Sequence, residues 1–554
     1  DIQAWASGRI EPRQQLAALL RRLVNTTGID LSKVDFPAYD DAERRGWDGY
    51  VEAGAATPWI PIGVSGWEFG CNAEPEHKAQ SDYEARARHV PEEERKNTTF
   101  VFVTPRKWPG KQAWEKARRA EKQFRDVRVF DAVNLEQWLE QSVATQTWFA
   151  ELIGASTEGL RSLDSCWSQW ADPTEPRLSK ELFSGQAETA KGILTDWLRE
   201  PTSRPLVISA ESSEEALAFL HCAAQALDHA TARLDSRCIV VDSAAALQKA
   251  VRASSNFVAV VTSREAEEAI AGQYRSQPVI LIRPRSSLDE RADIALDALD
   301  DDSFRKGMQA MGIDEHEAVR LERVSGQYPT ILRRTLSTIP AIRQPGWSHD
   351  PALASQIIRL GLAGTWVTTK AADRAVLAAL FGTDYERVEE VLAHLQQVQG
   401  TPIWEAGNVA GVVSKVDILT ACSAAITKGM IDRFFDVART VLSETDPALD
   451  LPEDEQWAAS FYGKSRDHSG TLRAGICESL VLLAVSGDRL FGQRLGINCR
   501  GKVDALVRAL LTPFNERTWL SQRRDLQHYA EASPEAFLDI VEEDLASETP
   551  KIHA

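Results

Sequence analysis

Residues 46–88, GWDGYVEAGAATPWIPIGVSGWEFGCNAEPEHKAQSDYEARAR, set out a short β segment, a turn, a second β segment, a polar loop and a helix that begins near Lys78. The first segment carries Asp48 and the second Glu68. Strand side chains alternate between faces, so Gly66, Glu68 and Gly70 share one side of the second segment while Trp67 and Phe69 take the other. Glycines flanking an acid leave room for a large ligand beside the carboxylate. On the helix, Lys78, Asp82 and Arg86 stand four residues apart and form one stripe, which this order allows to face the two acids.

Paired carboxylates on neighbouring strands suit a hard divalent cation, Mg²⁺ (or Mn²⁺), that retains several waters, and a lysine beside it orients or deprotonates the attacking water. This is phosphodiester hydrolysis chemistry. On these residues, positions 8–152 resemble the restriction-endonuclease-like superfamily, whose signature is Asp and then Asp/Glu-X-Lys, and its Mrr-like branch in particular. The resemblance implies Asp48 and Glu68 as catalytic acids and metal ligands, Mg²⁺ or Mn²⁺ as cofactor and double-stranded DNA as partner. Two residues after Glu68 stands Gly70 in place of the lysine. Some members of the superfamily move that lysine to the next helix, which makes Lys78 the third catalytic residue. The competing reading has Asp48 as a turn residue and Glu68 as a solvated strand acid, with DNA or protein binding and no catalysis.

Outward from this stretch, Glu11-Pro12 opens a helix, proline being tolerated in the first turn. Leu16, Leu19, Leu20, Leu23 and Val24 give it an apolar stripe. By the resemblance, Glu11 is a further candidate beside the metal. Downstream, Thr99–Thr104 (TFVFVT) reads as a buried strand, Lys111–Phe124 as a helix, Val127–Phe130 as a strand and Leu135–Leu139 as a closing helix. This order predicts a mixed sheet with helices on both sides. Arg106–Arg128 holds nine basic against three acidic residues, a local excess that suits a phosphate backbone. Its DNA-binding candidates are Arg106, Lys107, Lys111, Lys116, Arg118, Arg119 and Lys122. The bland alternative is a solvated amphipathic helix.

A chain of 554 residues is long enough for three or four domains. The net charge of −18 argues against nonspecific coating of nucleic acid, yet residues 1–152 hold 21 basic against 24 acidic side chains, so the acidity lies mostly beyond them. Seven cysteines, widely spaced and without a CxxC pair, read as reduced core thiols and not as a zinc or disulfide framework. Sixteen tryptophans are scattered along the sequence. The absence of a long apolar run or signal-peptide pattern predicts a cytoplasmic protein without a membrane partner. His77 neighbours the acid pair but reads as a surface residue. The chain starts without methionine and ends on KIHA, which is expected of a fragment or processed product.

Residues 154–177 read as a linker. Beyond it, Pro205–Leu220 (PLVISAESSEEALAFL) has the strand, loop and helix order of a phosphate loop, and Arg237–Asp242, Phe257–Thr262 and Pro278–Ile282 are apolar strands between helical segments. Over about 178–440 this resembles the NTPase core of STAND or AAA+ regulators, with SGQYPTILRR (Ser325–Arg334) downstream as a lid. A working loop needs glycines and a lysine for the phosphates. Here Ala210-Glu211-Ser212-Ser213-Glu214-Glu215 puts acids there instead, so a degenerate module without a functional ATP site is expected. Lys370–Phe381, Tyr385–Gln396 and the glycine-bearing Pro402–Ser414 predict helix, helix and hairpin, a winged-helix pattern, and the acids of its second helix disfavour DNA recognition. Apolar positions at helical spacing, as in Ala530–Leu545, extend a helical, solenoid-like region.

The expected fold is therefore multidomain α/β plus all-α. It comprises a restriction-endonuclease-like domain (1–153), the linker (154–177), a degenerate P-loop or STAND-like parallel α/β domain (178–345), a winged-helix-like unit (346–415) and a helical region (416–554). Such an arrangement resembles prokaryotic antiphage defence proteins: a metal-dependent DNA endonuclease released by a phage-derived or protein trigger at the helical end, with room for a homo-oligomer. The alternative is a non-catalytic DNA-binding or protein-interaction scaffold.

Overall fold

The computed structural model describes residues 2–7, 11–37, 46–201, 204–227, 233–253, 256–273, 275–285, 292–398, 400–547 and 550. It is a mixed α/β protein that divides into two compact units. The first comprises Asp1–Trp170, Phe183–Ile208 and Leu217–Ile282, and the second Ala171–Leu182, Ser209–Ala216 and Arg283–Ala554. Neither is a continuous stretch of chain.

After a short helix, Ile2–Trp5, the first unit has the helix Glu11–Thr27, whose predicted stripe of Leu16, Leu19, Leu20, Leu23 and Val24 is fully buried. A five-stranded sheet follows in the order β1 (Leu31–Asp35), β2 (Gly49–Ala53), β3 (Gly63–Phe69), β4 (Thr98–Val103) and β5 (Asp126–Phe130). The β1–β2 and β2–β3 pairs are antiparallel, and the β3–β4 and β4–β5 pairs are parallel. Every residue of β4 is buried, as a central strand covered on both faces requires.

Several tryptophans, dispersed in sequence, gather on the two faces of this sheet. On one face Trp59 stacks on Trp138 at 5.6 Å between ring centroids, and Trp67 meets Phe36 edge-on at 5.6 Å. On the other, Tyr83 meets Phe100 at 5.3 Å and Trp108 meets Trp114 at 5.6 Å. Each such pair adds about 0.5–1.5 kcal/mol beyond its area burial.

Two expectations need correction here. The helix predicted over 111–124 stops at Ala120, because Lys122 takes a left-handed φ of 55° and turns Phe124 into the aromatic cluster. Residues 154–177 are folded and do not form a linker. They contain β6 (Leu160–Arg161), paired antiparallel with a later strand, and the helix Leu163–Ala171, which buries Trp167 and Trp170. Arg22 is ion-paired to Asp164 and Asn25 donates to Ser236, tying the helix Glu11–Thr27 to these later segments.

The rest of the first unit supplies a second sheet. β7 (Leu206–Ala210) begins in it, and β8 (Cys238–Val241), β9 (Val258–Val261) and β10 (Val279–Pro284) follow, with β8, β9 and β10 parallel. β7 lies next to β10, and β6 closes the edge beside β8.

In the second unit, Ala210 O accepts from Arg285 N and Ser209 O from Leu296 N, so the end of β7 is flanked by the end of β10 and by β11 (Ile294–Ala295). Further on, β12 (Thr365–Val367), β13 (Ile403–Ala406) and β14 (Val409–Val412) form a small antiparallel sheet in the order β12-β14-β13. The helices Pro351–Ala363, Ala371–Phe381 and Tyr385–Leu395 pack with it. Helices continue to Leu545, and one buried cluster runs from Trp347 to Ile540 through sheet and helices alike. A buried ion pair, Arg473 to Asp525 at 2.6 Å, sits inside it. All seven cysteines are buried. Among the described residues no helix is long and apolar enough to cross a membrane.

Candidate active site

Asp48 stands immediately before β2, and Glu68 is the penultimate residue of β3. Asp48 Oδ2 accepts the backbone N–H of Phe69 at 3.2 Å, which fixes the first acid against the strand that carries the second. The alternation holds: Trp67 enters the core with Trp138, and Glu68 faces the helix Pro75–His89.

That helix brings its stripe to the acids. Lys78 Nζ donates to Asp82 Oδ1 at 2.7 Å, and Arg86 Nε donates to Glu68 Oε1 while Arg86 Nη2 reaches the carbonyl of Gly46. The Arg86 guanidinium also lies over the Trp47 ring, 5.4 Å from its centroid. Glu68 is only 2% exposed. Burial first, and then the nearby charge of Asp48, push its carboxyl up to about 8, with Arg86 opposing both. Asp82 is raised in the same direction, chiefly by burial and against the pull of Lys78. Its Oδ2 is buried without a hydrogen-bond partner.

The glycines beside Glu68 do not leave open space for a ligand, contrary to expectation. A Cβ on Gly66 would fall 2.4 Å from the Trp47 ring, so the indole already fills that side. A Cβ on Gly70 would meet Lys78 Cγ at 3.2 Å and Cε at 3.3 Å. The lysine stem of the helix thus lies over the strand position where the superfamily's lysine would start. Room for a ligand is found instead in an adjoining cleft of about 460 Å³, lined by Leu16, Asp48, Gly70, Asn72 and Lys78 among others. Glu68 does not line it.

Asp48 and Glu68 fit a hard divalent cation in kind. Both are oxygen donors, Mg²⁺ is commonly held by one or two carboxylates plus waters, and the Arg86 hydrogen bond takes only Oε1 of Glu68. Among the described residues there is no group of three or more His, Cys, Asp or Glu side chains arranged to hold a metal. The Glu11 side chain lies outside the described residues, and His77 is exposed.

The basic segment divides in two. Arg106 donates to the carbonyls of Cys71 and Ala6, and Lys111 pairs with Asp131, so both are engaged in holding the fold. Arg118 pairs with Glu121 at 2.8 Å, and Arg119 with Glu115 at 2.8 Å and Asp126 at 2.6 Å. Lys107, Lys116 and Lys122 are exposed and make no ion pair with a described residue. Charge counting along the sequence misses the internal use of Arg106 and Lys111. Asp131, a cap for the Ala132–Leu139 helix, is the signal that points to the second.

The loop after β7 uses its acids internally. Glu215 accepts from Thr330 N at 3.0 Å and from Thr330 Oγ1 at 2.5 Å, at the start of the helix Pro329–Leu336, and Glu211 accepts from Ser414 Oγ. Burial pushes Glu215 up to about 8 and Glu211 up to about 7. Glu214 is exposed.

Fold and site together define a mixed α/β protein in which Asp48, just before β2, lines a cleft beside the buried Glu68 of β3. No family model matches the chain, and no curated protein matches it.

Proposed function

We propose that residues 1–153 form a metal-dependent DNA endonuclease domain of restriction-endonuclease-like type. The chain as a whole is then a multidomain effector of prokaryotic antiphage defence, regulated by the STAND-like and helical regions. One observation carries the reading: the helix-borne Lys78 lies over Gly70, the strand position that lacks the lysine, and shares a cleft with Asp48. Asp48 and the second oxygen of Glu68 would hold Mg²⁺ or Mn²⁺, which when bound supplies charge for the developing phosphorane and lowers the pKa of a coordinated water. Lys78 orients the attacking water or offsets charge on the scissile phosphate. Arg86 keeps Glu68 anchored and opposes its protonation. The exposed Lys107, Lys116 and Lys122 meet the backbone.

A second reading, a non-catalytic DNA-binding or protein-interaction scaffold, draws on the ion pairing of Glu68 with Arg86 and of Lys78 with Asp82. Titration with Mn²⁺, followed by electron paramagnetic resonance of the free ion, separates the two. Because Glu68 titrates near 8, protons compete with the metal below that pH, and affinity should rise between pH 6 and pH 8.5. Asp48→Ala should abolish binding, and Arg86→Gln should weaken it most at the lower pH. Binding that is absent in the wild type, or unchanged in Asp48→Ala, favours the scaffold.

A further inference from the structure

The end of β7 opens on a cavity of about 220 Å³ in the second unit, separate from the acid cleft. Its floor carries Glu211, which is 7% exposed. One carboxylate oxygen of Glu211 accepts from Ser414, and the other has no hydrogen-bond partner among the described residues. The cavity also includes His528, whose Nδ1 is buried without a partner. Its apolar lining comes from Val413, Val416, Val481 and Leu482.

The charges around it do not balance. Lys415 is committed to Glu478 at 3.0 Å and to the carbonyl of Gly475, and Arg285 to Asp297 and the carbonyl of Leu296. Both cations are thereby offset by acids of the same unit. Glu211 on the floor and the exposed Glu531 at the rim remain without an ion-pair partner. An anion entering here would meet the carboxylates of Glu211 and Glu531, whereas a cation would find the buried Glu211 carboxylate, with apolar walls for its body. The position agrees with the tendency of ligands to sit beyond the strand ends where neighbouring strands lie on both sides. A volume of 220 Å³ admits a molecule of about the size of a small amine and excludes a nucleotide.

We propose that this cavity is a binding site for a small organic primary amine, its ammonium donating to Glu211 and its carbon body lying between Val413, Val416 and Val481. Arg285 only partly compensates the buried Glu211 charge, and a bound ammonium offsets the remainder. Tyr328, Arg285, Lys415, Glu478, His528 and Glu531 are the other ionisable groups that face the space, and of these only the acids favour the ligand. Since the Glu211 carboxyl is pushed up to about 7, it is increasingly ionised above that pH, and amine binding should strengthen from pH 6 to pH 8.

Saturation-transfer NMR on the full chain tests the proposal, with butylamine and benzylamine as probes and 1-butanol and butyrate as matched neutral and anionic controls. The expected result is saturable transfer to the amines and none to the controls. Glu211→Gln keeps an acceptor for Ser414 and should weaken amine binding at least tenfold. Val481→Trp, which fills the cavity and leaves Glu211 in place, should remove it as well, with circular dichroism confirming that both variants fold. Absence of saturable amine binding, equal transfer to 1-butanol, or undiminished binding in folded Glu211→Gln would each overturn the assignment.

Discussion

Buried acids dominate at the scale of single residues. Glu215 sits at 1% exposure with a neutral donor, Thr330, and no cation in contact, so its protonated form is favoured in the folded state. Its value rises from 4.5 to about 8, and the folded protein therefore binds more protons than the unfolded chain between those limits. The corresponding stability is fully present below about 4.5 and is lost as pH rises through about 8. Glu215→Gln, which imitates the protonated acid, should match the wild type in thermal unfolding at pH 5 and exceed it at pH 8.5. An equal loss at both values would mean that Glu215 is ionised in the fold. An acid at the phosphate-loop position was legible in the sequence, but its partner was not. Thr330 lies 115 residues downstream, and nothing local marks that pairing.

Among elements, the helix Lys111–Ala120 and its flanks illustrate how charge counts mislead. Nine basic residues in the segment suggested a broad phosphate-binding face, yet Arg106, Lys111, Arg118 and Arg119 already hold carbonyls or acids of their own unit. Under the proposed reading, Lys107, Lys116 and Lys122 are the residues left to meet a phosphate backbone. Replacing these three by Ala should weaken duplex binding and flatten the dependence of log K on log salt by about 0.9 for each phosphate no longer neutralised. Fluorescence anisotropy at several salt concentrations measures both, and an unchanged slope would remove this face from the interface.

Strands and helices with strong local patterns were readable: the apolar stripe of Glu11–Thr27, the TFVFVT strand and the alternation around Glu68 all follow from period alone. The fold of residues 154–177 was not. β6 is two residues long and is defined by its distant partner β8, and Trp167 and Trp170 are buried by packing that no local period reveals. At the site, Asp48, Glu68 and the Lys78 stripe were legible as candidates, whereas the Trp47 ring over Gly66 was not, because a glycine in sequence does not say what fills its missing side chain.

For the whole molecule, the aromatic layers set the first unit's rigidity and thereby the spacing of the acid pair. Trp67 points into one layer and Glu68 into the opposite face, so the carboxylate is held by the same strand that anchors the core. Lys78 arrives from a helix whose Tyr83 is locked against Phe100 and Phe124. Glu68 is buried against Arg86, so its removal costs more than that of an exposed charge, and each variant is compared only once circular dichroism shows that it folds. The most direct measurement is cleavage of supercoiled plasmid by the folded full chain with Mg²⁺ or Mn²⁺, compared with Asp48→Ala, Glu68→Ala and Lys78→Ala. A metal-dependent nuclease at this site predicts nicking by the wild type, none by either acid variant, and a rate reduced by about 10² or more in Lys78→Ala with Mn²⁺ binding retained. Wild-type-like cleavage by Asp48→Ala would contradict it.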